Sequence, residues 1–129
     1  MRHPLAAHPK RKPAPSEDAV ITKAVQRAAA AMGLSQRELG EILGVSGAKV
    51  SRLGRETLLD PGKKEFELAL LLLRAFRSLD ALVGGNETKA RSWLRAKNEY
   101  FGEAPAAAIK RVQGLTGVVE YLDAMRGAL

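Results

Sequence analysis

Apolar residues recur every three or four positions along most of this chain, and no stretch alternates apolar and polar residues as a half-buried strand would. The first such pattern follows Ser16 and ends at Gly33. The longest runs from Glu65 to Val83, where a pair of glycines interrupts it. The spacing therefore predicts an all-α fold of about seven helices without a sheet.

Short polar residues mark where several of these helices should begin. Four of them can cap the first turn of a helix: Ser16, Ser35, Ser46 and Asn86. Glu38 stands three residues after Ser35 and completes a capping box. Further along, Pro105 predicts the start of a sixth helix that ends at Gly114, and Thr116 predicts the cap of the seventh.

The turn sequence Asp60-Pro61-Gly62 divides the folded part of the chain. We predict one helical domain in residues 16–60 and a second in residues 61–129. Residues 1–15 contain four prolines, four basic residues and no acidic residue, which predicts a flexible basic tail. This tail could be an arm that contacts DNA phosphates or a solubilising leader, and the sequence leaves both open.

The composition argues against several classes of function. The chain has no cysteine, and its two histidines, His3 and His8, lie in the tail. It also lacks a glycine-rich phosphate loop, so we predict no enzyme, no catalytic or metal site and no cofactor. The net charge of +7 favours a polyanionic partner such as nucleic acid, although a solvated basic surface would give the same balance.

Neither a membrane span nor an export signal is expected. The apolar run in residues 68–73 is far shorter than the roughly 20 residues that a membrane-spanning helix needs. The N-terminal segment has charges and prolines but lacks the apolar centre of a signal peptide. We therefore expect a cytoplasmic protein without a membrane partner.

Residues 35–53 meet the physical requirements of a helix-turn-helix. Two short helices that cross need a small residue at the crossing, which Gly40 supplies, and a turn residue that tolerates a positive φ, which is Gly44. Apolar residues must hold the pair together, and the segment supplies five: Leu39, Leu43, Val45, Val50 and Leu53. Because the whole set is in register, the segment predicts DNA binding rather than a plain helical hairpin.

The stretch LSQRELGEILGVSGAKVSR, residues 34–52, resembles the helix-turn-helix of the Xre, or phage-repressor-like, family. The resemblance implies that Gln36, at the start of the second helix, binds a DNA phosphate. Gly40 stands where the family usually has alanine, and Leu53 stands where a tryptophan often follows the Ser-Arg pair. These departures bear on single contacts rather than on the resemblance as a whole.

The exposed positions of the third helix decide how DNA would be read. Arg52 is the candidate for a bidentate contact with guanine. Gly47 and Ala48 occupy positions where such repressors often place long polar side chains, although Ala48 could touch a thymine methyl group. Four further residues are predicted to anchor phosphates: Ser46, Lys49, Ser51 and Arg55. With so few base contacts, we expect weak specificity per copy and a homodimer on a two-fold operator.

Residues 65–129 resemble the C-terminal toxin-binding domain of the Xre/MbcA/ParS antitoxins. The matching elements, in order, are Trp93-Leu94, Asn98, Phe101-Gly102, Pro105, Gly114 and residues 118–127. Glu103 departs from a glycine that members often have, and residues 106–108 replace a more leucine-rich helix. The resemblance implies an antitoxin of a type II toxin–antitoxin system. Its partner would be a RES-domain toxin that uses NAD, with which it would act as a homodimer or form a higher complex, and its helix-turn-helix would repress the shared operon.

Six residues of this domain are predicted to contact the toxin: Trp93, Asn98, Tyr100, Phe101, Arg126 and Leu129. Aromatic side chains are favoured anchors of interfaces, and the resemblance implies that the extreme C-terminus approaches the toxin's active-site cleft. From the residues alone, Trp93 and Phe101 could equally fill the core. A second function stays open, that of a stand-alone Xre-family transcriptional repressor whose C-terminal half dimerises or senses a ligand.

Overall fold

The computed structural model describes residues 16–128, which form seven α-helices and no β-strand. The helices are α1 (Glu17–Ala31), α2 (Gln36–Leu43), α3 (Gly47–Arg52), α4 (Lys64–Leu82), α5 (Glu87–Arg95), α6 (Pro105–Ala108) and α7 (Val112–Gly127). The predicted all-α fold is confirmed. The predicted tail in residues 1–15, and Leu129, lie outside the described residues.

Four of the five predicted cap residues, namely Ser16, Ser35, Ser46 and Asn86, stand directly before a helix. The Ser35 hydroxyl accepts a hydrogen bond from the Glu38 N–H at 3.0 Å, and the Glu38 carboxylate accepts one from the Ser35 N–H at 3.0 Å. The side chains of Ser16, Ser46 and Asn86 each accept a hydrogen bond from the third residue of their helix. These bonds satisfy N–H groups that have no partner within the helix, which is why the starts could be predicted from sequence.

Helix α4 is the centre of the fold, because it packs against α1, α2 and α7. Its buried residues Phe66, Leu72 and Leu79 join one continuous apolar core to which every helix contributes. Burial of each such side chain stabilises the fold by about 1.5–3 kcal/mol. Within residues 16–128, no helix is both long enough and apolar enough to cross a membrane.

The segment between α3 and α4 packs against α1. Leu59 is fully buried, and its N–H donates a hydrogen bond to the Thr22 hydroxyl at 3.0 Å. The Thr22 hydroxyl in turn donates to the Asp18 carbonyl within α1 at 2.6 Å. This turn therefore holds the start of α4 in a fixed position relative to α1.

The predicted boundary between the last two helices is wrong. Helix α6 is a single turn, and α7 already begins at Val112, so Gly114 and Thr116 lie inside it. A Cβ atom on Gly114 would lie 1.9 Å from the carbonyl oxygen of Ala108. Gly114 therefore allows a close approach to the end of α6 instead of ending a helix, and the Thr116 hydroxyl donates to the Val112 carbonyl at 2.9 Å.

Two arginines of α5 bind the C-terminal end of α1 and the start of α2. Arg91 donates to the carbonyls of Ala30 and Ala31 at 2.8 and 3.1 Å, in the last turn of α1, where carbonyls lack the usual helical partner four residues on. Arg95 donates to the Gly33 carbonyl at 2.8 Å and to the Glu38 carboxylate at 2.6 and 2.7 Å. The hydrogen bond from Arg95 lowers the pKa of Glu38 to about 2.

Candidate nucleic-acid interface and aromatic surface

Helices α2 and α3 form the predicted helix-turn-helix, and a glycine stands at the point where they approach most closely. A Cβ atom on Gly40 would lie 2.9 Å from the Val45 carbonyl oxygen and 3.3 Å from the Val50 side chain. The turn itself uses Gly44 at φ +71°, a conformation that a side chain would strain. Four of the five predicted apolar residues are buried, and Val45 is half-buried.

The outer face of α3 carries four exposed residues of the predicted interface: Gly47, Ala48, Ser51 and Arg52. A Cβ atom on Gly47 would meet no other atom, so the surface at the start of α3 is open to a partner. The Arg52 side chain is about half exposed, and its only ion pair within residues 16–128 is a loose contact of 3.9 Å with Glu56. Arg52 is therefore available to reach a base edge.

Lys49 has a partner inside the protein that the sequence did not reveal. Its ammonium group lies 2.7 and 2.9 Å from the two carboxylate oxygens of Glu65, at the start of α4. Glu65 is 7% exposed and also accepts a hydrogen bond from the Asp60 N–H at 2.9 Å. This pair holds α3 against α4, so the predicted phosphate contact of Lys49 has to compete with it.

A basic groove lies beside α3, between α1 and the residues that follow α3. It has a volume of about 830 Å³. Three residues predicted from sequence line it, namely Gln36, Ser51 and Arg55. Lys23 and Arg27 of α1 also line it, and sequence reasoning missed both, although their spacing of four places them on one exposed helix face.

Three of the polar side chains predicted to bind DNA already form hydrogen bonds within the protein. The Ser46 hydroxyl accepts from the Lys49 N–H at 3.1 Å as the cap of α3. The Ser51 hydroxyl donates to the Ala48 carbonyl at 2.9 Å, and Arg55 donates to the Ser51 carbonyl at 2.8 Å. Arg55 nevertheless lines the groove and forms no ion pair with a carboxylate of residues 16–128, so its guanidinium group can attract a phosphate.

A cluster of four aromatic rings forms a second surface, in the C-terminal half. We call the cluster of Trp93, Tyr100, Phe101 and Tyr121 the aromatic surface. The Tyr121 ring lies at its centre, 4.8 Å from Tyr100, 5.3 Å from Phe101 and 6.2 Å from Trp93 between ring centroids. Tyr100 is 72% exposed, although the other three rings are half-buried.

Four of the six predicted toxin-binding residues lie at the aromatic surface: Trp93, Asn98, Tyr100 and Phe101. Asn98 shapes the loop that carries Tyr100, since its side-chain oxygen accepts from the Tyr100 N–H at 2.8 Å. Trp93 and Phe101 pack against the core and also reach the surface. Arg126 lies apart from the rings, near Asp123, and Leu129 is outside the described residues. Sequence reasoning did not select Tyr121, because its contacts with the loop span about 20 residues of chain.

The helix-turn-helix, followed by further helices, places the protein in the class of all-helical proteins with a DNA-binding domain. Residues 13–74 match the antitoxin Xre-like helix-turn-helix domain, and residues 78–128 match the antitoxin Xre/MbcA/ParS C-terminal toxin-binding domain. The chain therefore carries both domains that are characteristic of the Xre/MbcA/ParS antitoxins. Its domains are those of an antitoxin of a toxin–antitoxin system, with a toxin and DNA as partners. No curated protein matches the chain significantly.

Proposed function

We propose that this protein is the antitoxin of a type II system whose toxin is a RES-domain protein that uses NAD. It binds this toxin through its C-terminal half and blocks it. It also binds operator DNA as a homodimer through the helix-turn-helix and represses its own operon. Both partners would be met in the cytoplasm.

The observation that carries the toxin-binding half of the proposal is the exposure of Tyr100 on the aromatic surface. A tyrosine that is 72% exposed gains little from folding, yet its ring rests on Tyr121 and Phe101 and is held in place. Rigid aromatic side chains of this kind make strong interface anchors, because little freedom remains to be lost on binding. The aromatic surface also lies within the residues that match a toxin-binding domain.

On the DNA side, Arg52 is proposed to read a guanine and the basic groove to bind the phosphate backbone. The groove brings Gln36 together with Lys23, Arg27 and Arg55, so its contacts would be electrostatic and independent of sequence. Gly47 and Ala48 offer no polar side chain to a base edge. Two copies on a two-fold operator would double the small number of specific contacts.

Co-expression with the RES-domain toxin tests the proposed function. We expect the wild-type chain to restore growth and to elute with the toxin as one complex on gel filtration. In a gel shift with the promoter of the operon, Arg52→Ala should lose about 10- to 100-fold in specific affinity, yet still restore growth.

A stand-alone repressor would give a different pattern. The wild-type chain would shift the promoter DNA, but it would neither restore growth nor co-elute with the toxin. Retention of full specific DNA binding by Arg52→Ala would instead reject the role proposed for Arg52.

A further inference from the structure

A second concave surface lies between the C-terminal halves of α4 and α7. We call it the arginine cleft. It has a volume of about 570 Å³ and is lined by Arg74, Arg77, Ser78, Asp123, Arg126 and Gly127. Three guanidinium groups and one carboxylate meet here, so the cleft carries an excess of positive charge.

The single carboxylate of the arginine cleft is already engaged. Asp123 accepts a hydrogen bond from the buried Ser78 hydroxyl at 2.7 Å and forms an ion pair with Arg74 at 2.5 Å. The bond from Ser78, together with the neighbouring arginines, lowers the pKa of Asp123, so it stays ionised and keeps Arg74 in place. Arg77 and Arg126 form no ion pair with any carboxylate of residues 16–128. Both are left to bind an anion from outside.

Helix α7 connects this cleft with the aromatic surface. Tyr121 and Met125 lie on one flank of α7, whereas Asp123 and Arg126 lie on the opposite flank, as 100° per residue requires. Over residues 120–127, the exposed strip between the two flanks carries Glu120, Ala124 and Gly127, and of these only Glu120 has a large side chain. A helix is about 10–12 Å across with its side chains. One partner lying across α7 can therefore contact both surfaces, since a standard interface covers about 800 Å² per partner.

We propose that the toxin lies across α7 and places an acidic side chain in the arginine cleft, where Arg77 and Arg126 bind its carboxylate. This inference rests on the proposed toxin binding and adds the chemistry of the contact. Guanidinium groups suit carboxylates because they can donate two parallel hydrogen bonds. The aromatic surface would supply apolar contact area, and the cleft would supply charge and orientation.

The position of the cleft argues against DNA as its occupant. Arg77 lies roughly 18 Å along α4 from Glu65. Glu65 is the residue through which α4 contacts α3 of the helix-turn-helix. None of the residues proposed to bind DNA lines the cleft. Ser78, Asp123 and Arg126 instead lie within the match to the toxin-binding domain.

The test is the affinity of the full chain for the purified RES-domain toxin, measured by titration calorimetry at low and high sodium chloride. The test variants are Arg77→Glu and the double variant Arg77→Glu/Arg126→Glu. Lys89→Glu is the matched control, because Lys89 is exposed in the same half of the chain and does not line the cleft. Arg77→Gln serves as a milder variant if the charge reversals unfold, as checked by circular dichroism.

We expect the double variant to lose at least about tenfold in toxin affinity, to lose most of its salt dependence, and to shift operator DNA as well as wild type does. The control should bind the toxin normally. Wild-type affinity of both cleft variants for the toxin would overturn the inference while leaving toxin binding itself intact. A loss confined to operator DNA would assign the cleft to phosphates and overturn it as well. If even the wild-type chain fails to bind the toxin, the proposed function fails together with this contact.

Discussion

The guanidinium of Arg95 in α5 forms two hydrogen bonds, at 2.6 and 2.7 Å, with the carboxylate of Glu38 in the first turn of α2. Glu38 also closes the capping box with Ser35. Gln36, which directly follows Ser35, starts the helix proposed to touch DNA, and Trp93 of the aromatic surface lies on the same short helix as Arg95. One ion pair thus joins the toxin-binding half to the DNA-binding half.

Stability between about pH 4.5 and pH 2 should depend on this pair. The hydrogen bond from Arg95 lowers the pKa of Glu38 from 4.5 to about 2. A carboxyl group whose pKa is lower in the folded than in the unfolded state stabilises the fold at pH values above its pKa in the unfolded state. This stabilisation is lost as the pH falls through the pKa of the folded state. Because Arg95 is half exposed, we expect its contribution to be about 1–2 kcal/mol.

Glu38→Gln isolates the ion pair, because glutamine still accepts the hydrogen bond of the capping box. Urea unfolding at pH 7 should show a loss of about 1–2 kcal/mol relative to wild type. The difference between the two proteins should shrink as the pH falls from 4.5 to 2. A difference that stays constant over this range would mean that the ion pair contributes nothing measurable.

Two glycines of α7 should respond in opposite ways to alanine. A Cβ atom at Gly114 would collide with the Ala108 carbonyl oxygen at 1.9 Å, whereas a Cβ atom at Gly117 would meet no other atom. Gly114→Ala should therefore cost about 3 kcal/mol in the free energy of unfolding. Gly117→Ala should gain about 0.5–1 kcal/mol through helix propensity. Equal effects in thermal unfolding would contradict the packing of α6 on α7.

The salt dependence of operator binding separates the two possible roles of Lys49. If the ion pair with Glu65 positions α3, Lys49→Met should destabilise the protein by about 1–3 kcal/mol, since the buried carboxylate loses its partner. The slope of log affinity against log salt should stay unchanged. Arg55→Ala, by contrast, should reduce that slope by about 0.9, the value for one phosphate contact. A reduced slope for Lys49→Met would show that it binds a phosphate.

Tyr100→Ala should weaken toxin binding without unfolding the protein. The loss of an exposed aromatic anchor is expected to cost about 2 kcal/mol, or roughly 30-fold in the dissociation constant. The cost in stability should stay below about 1 kcal/mol, because Tyr100 is mostly exposed. Val112→Ala is the matched control, since Val112 is also an exposed apolar residue, 61% accessible, but is not part of the aromatic surface. Equal affinities of the two variants would remove Tyr100 from the interface.

Local chemistry explains which parts of the fold could be predicted from the sequence. The caps at Ser35 and Ser46 and the turn at Gly44 depend on neighbours within a few residues, and all three lie where they were predicted. Gly114 misled the prediction, because a glycine that ends a helix and a glycine that allows close packing look alike in sequence. Only the contact with Ala108 tells them apart.

The same reasoning explains which parts of the candidate sites were missed. Lys49 was expected to face DNA. Its ion pair with Glu65 could not be predicted, because the two residues are 16 positions apart in sequence. Tyr121 was missed because its aromatic neighbours Tyr100 and Phe101 lie in a distant loop of the chain. The exposed face of α3 needed no such information, because the period of an amphipathic helix identifies it.

The most direct test of the central claim is the rate at which the purified RES-domain toxin consumes NAD when this protein is added. We predict that the rate falls in proportion to the added chain until the toxin is saturated, and that Tyr100→Ala requires a much higher concentration than Val112→Ala. An unchanged rate at saturating concentrations of the wild-type chain would contradict the proposed neutralisation of the toxin.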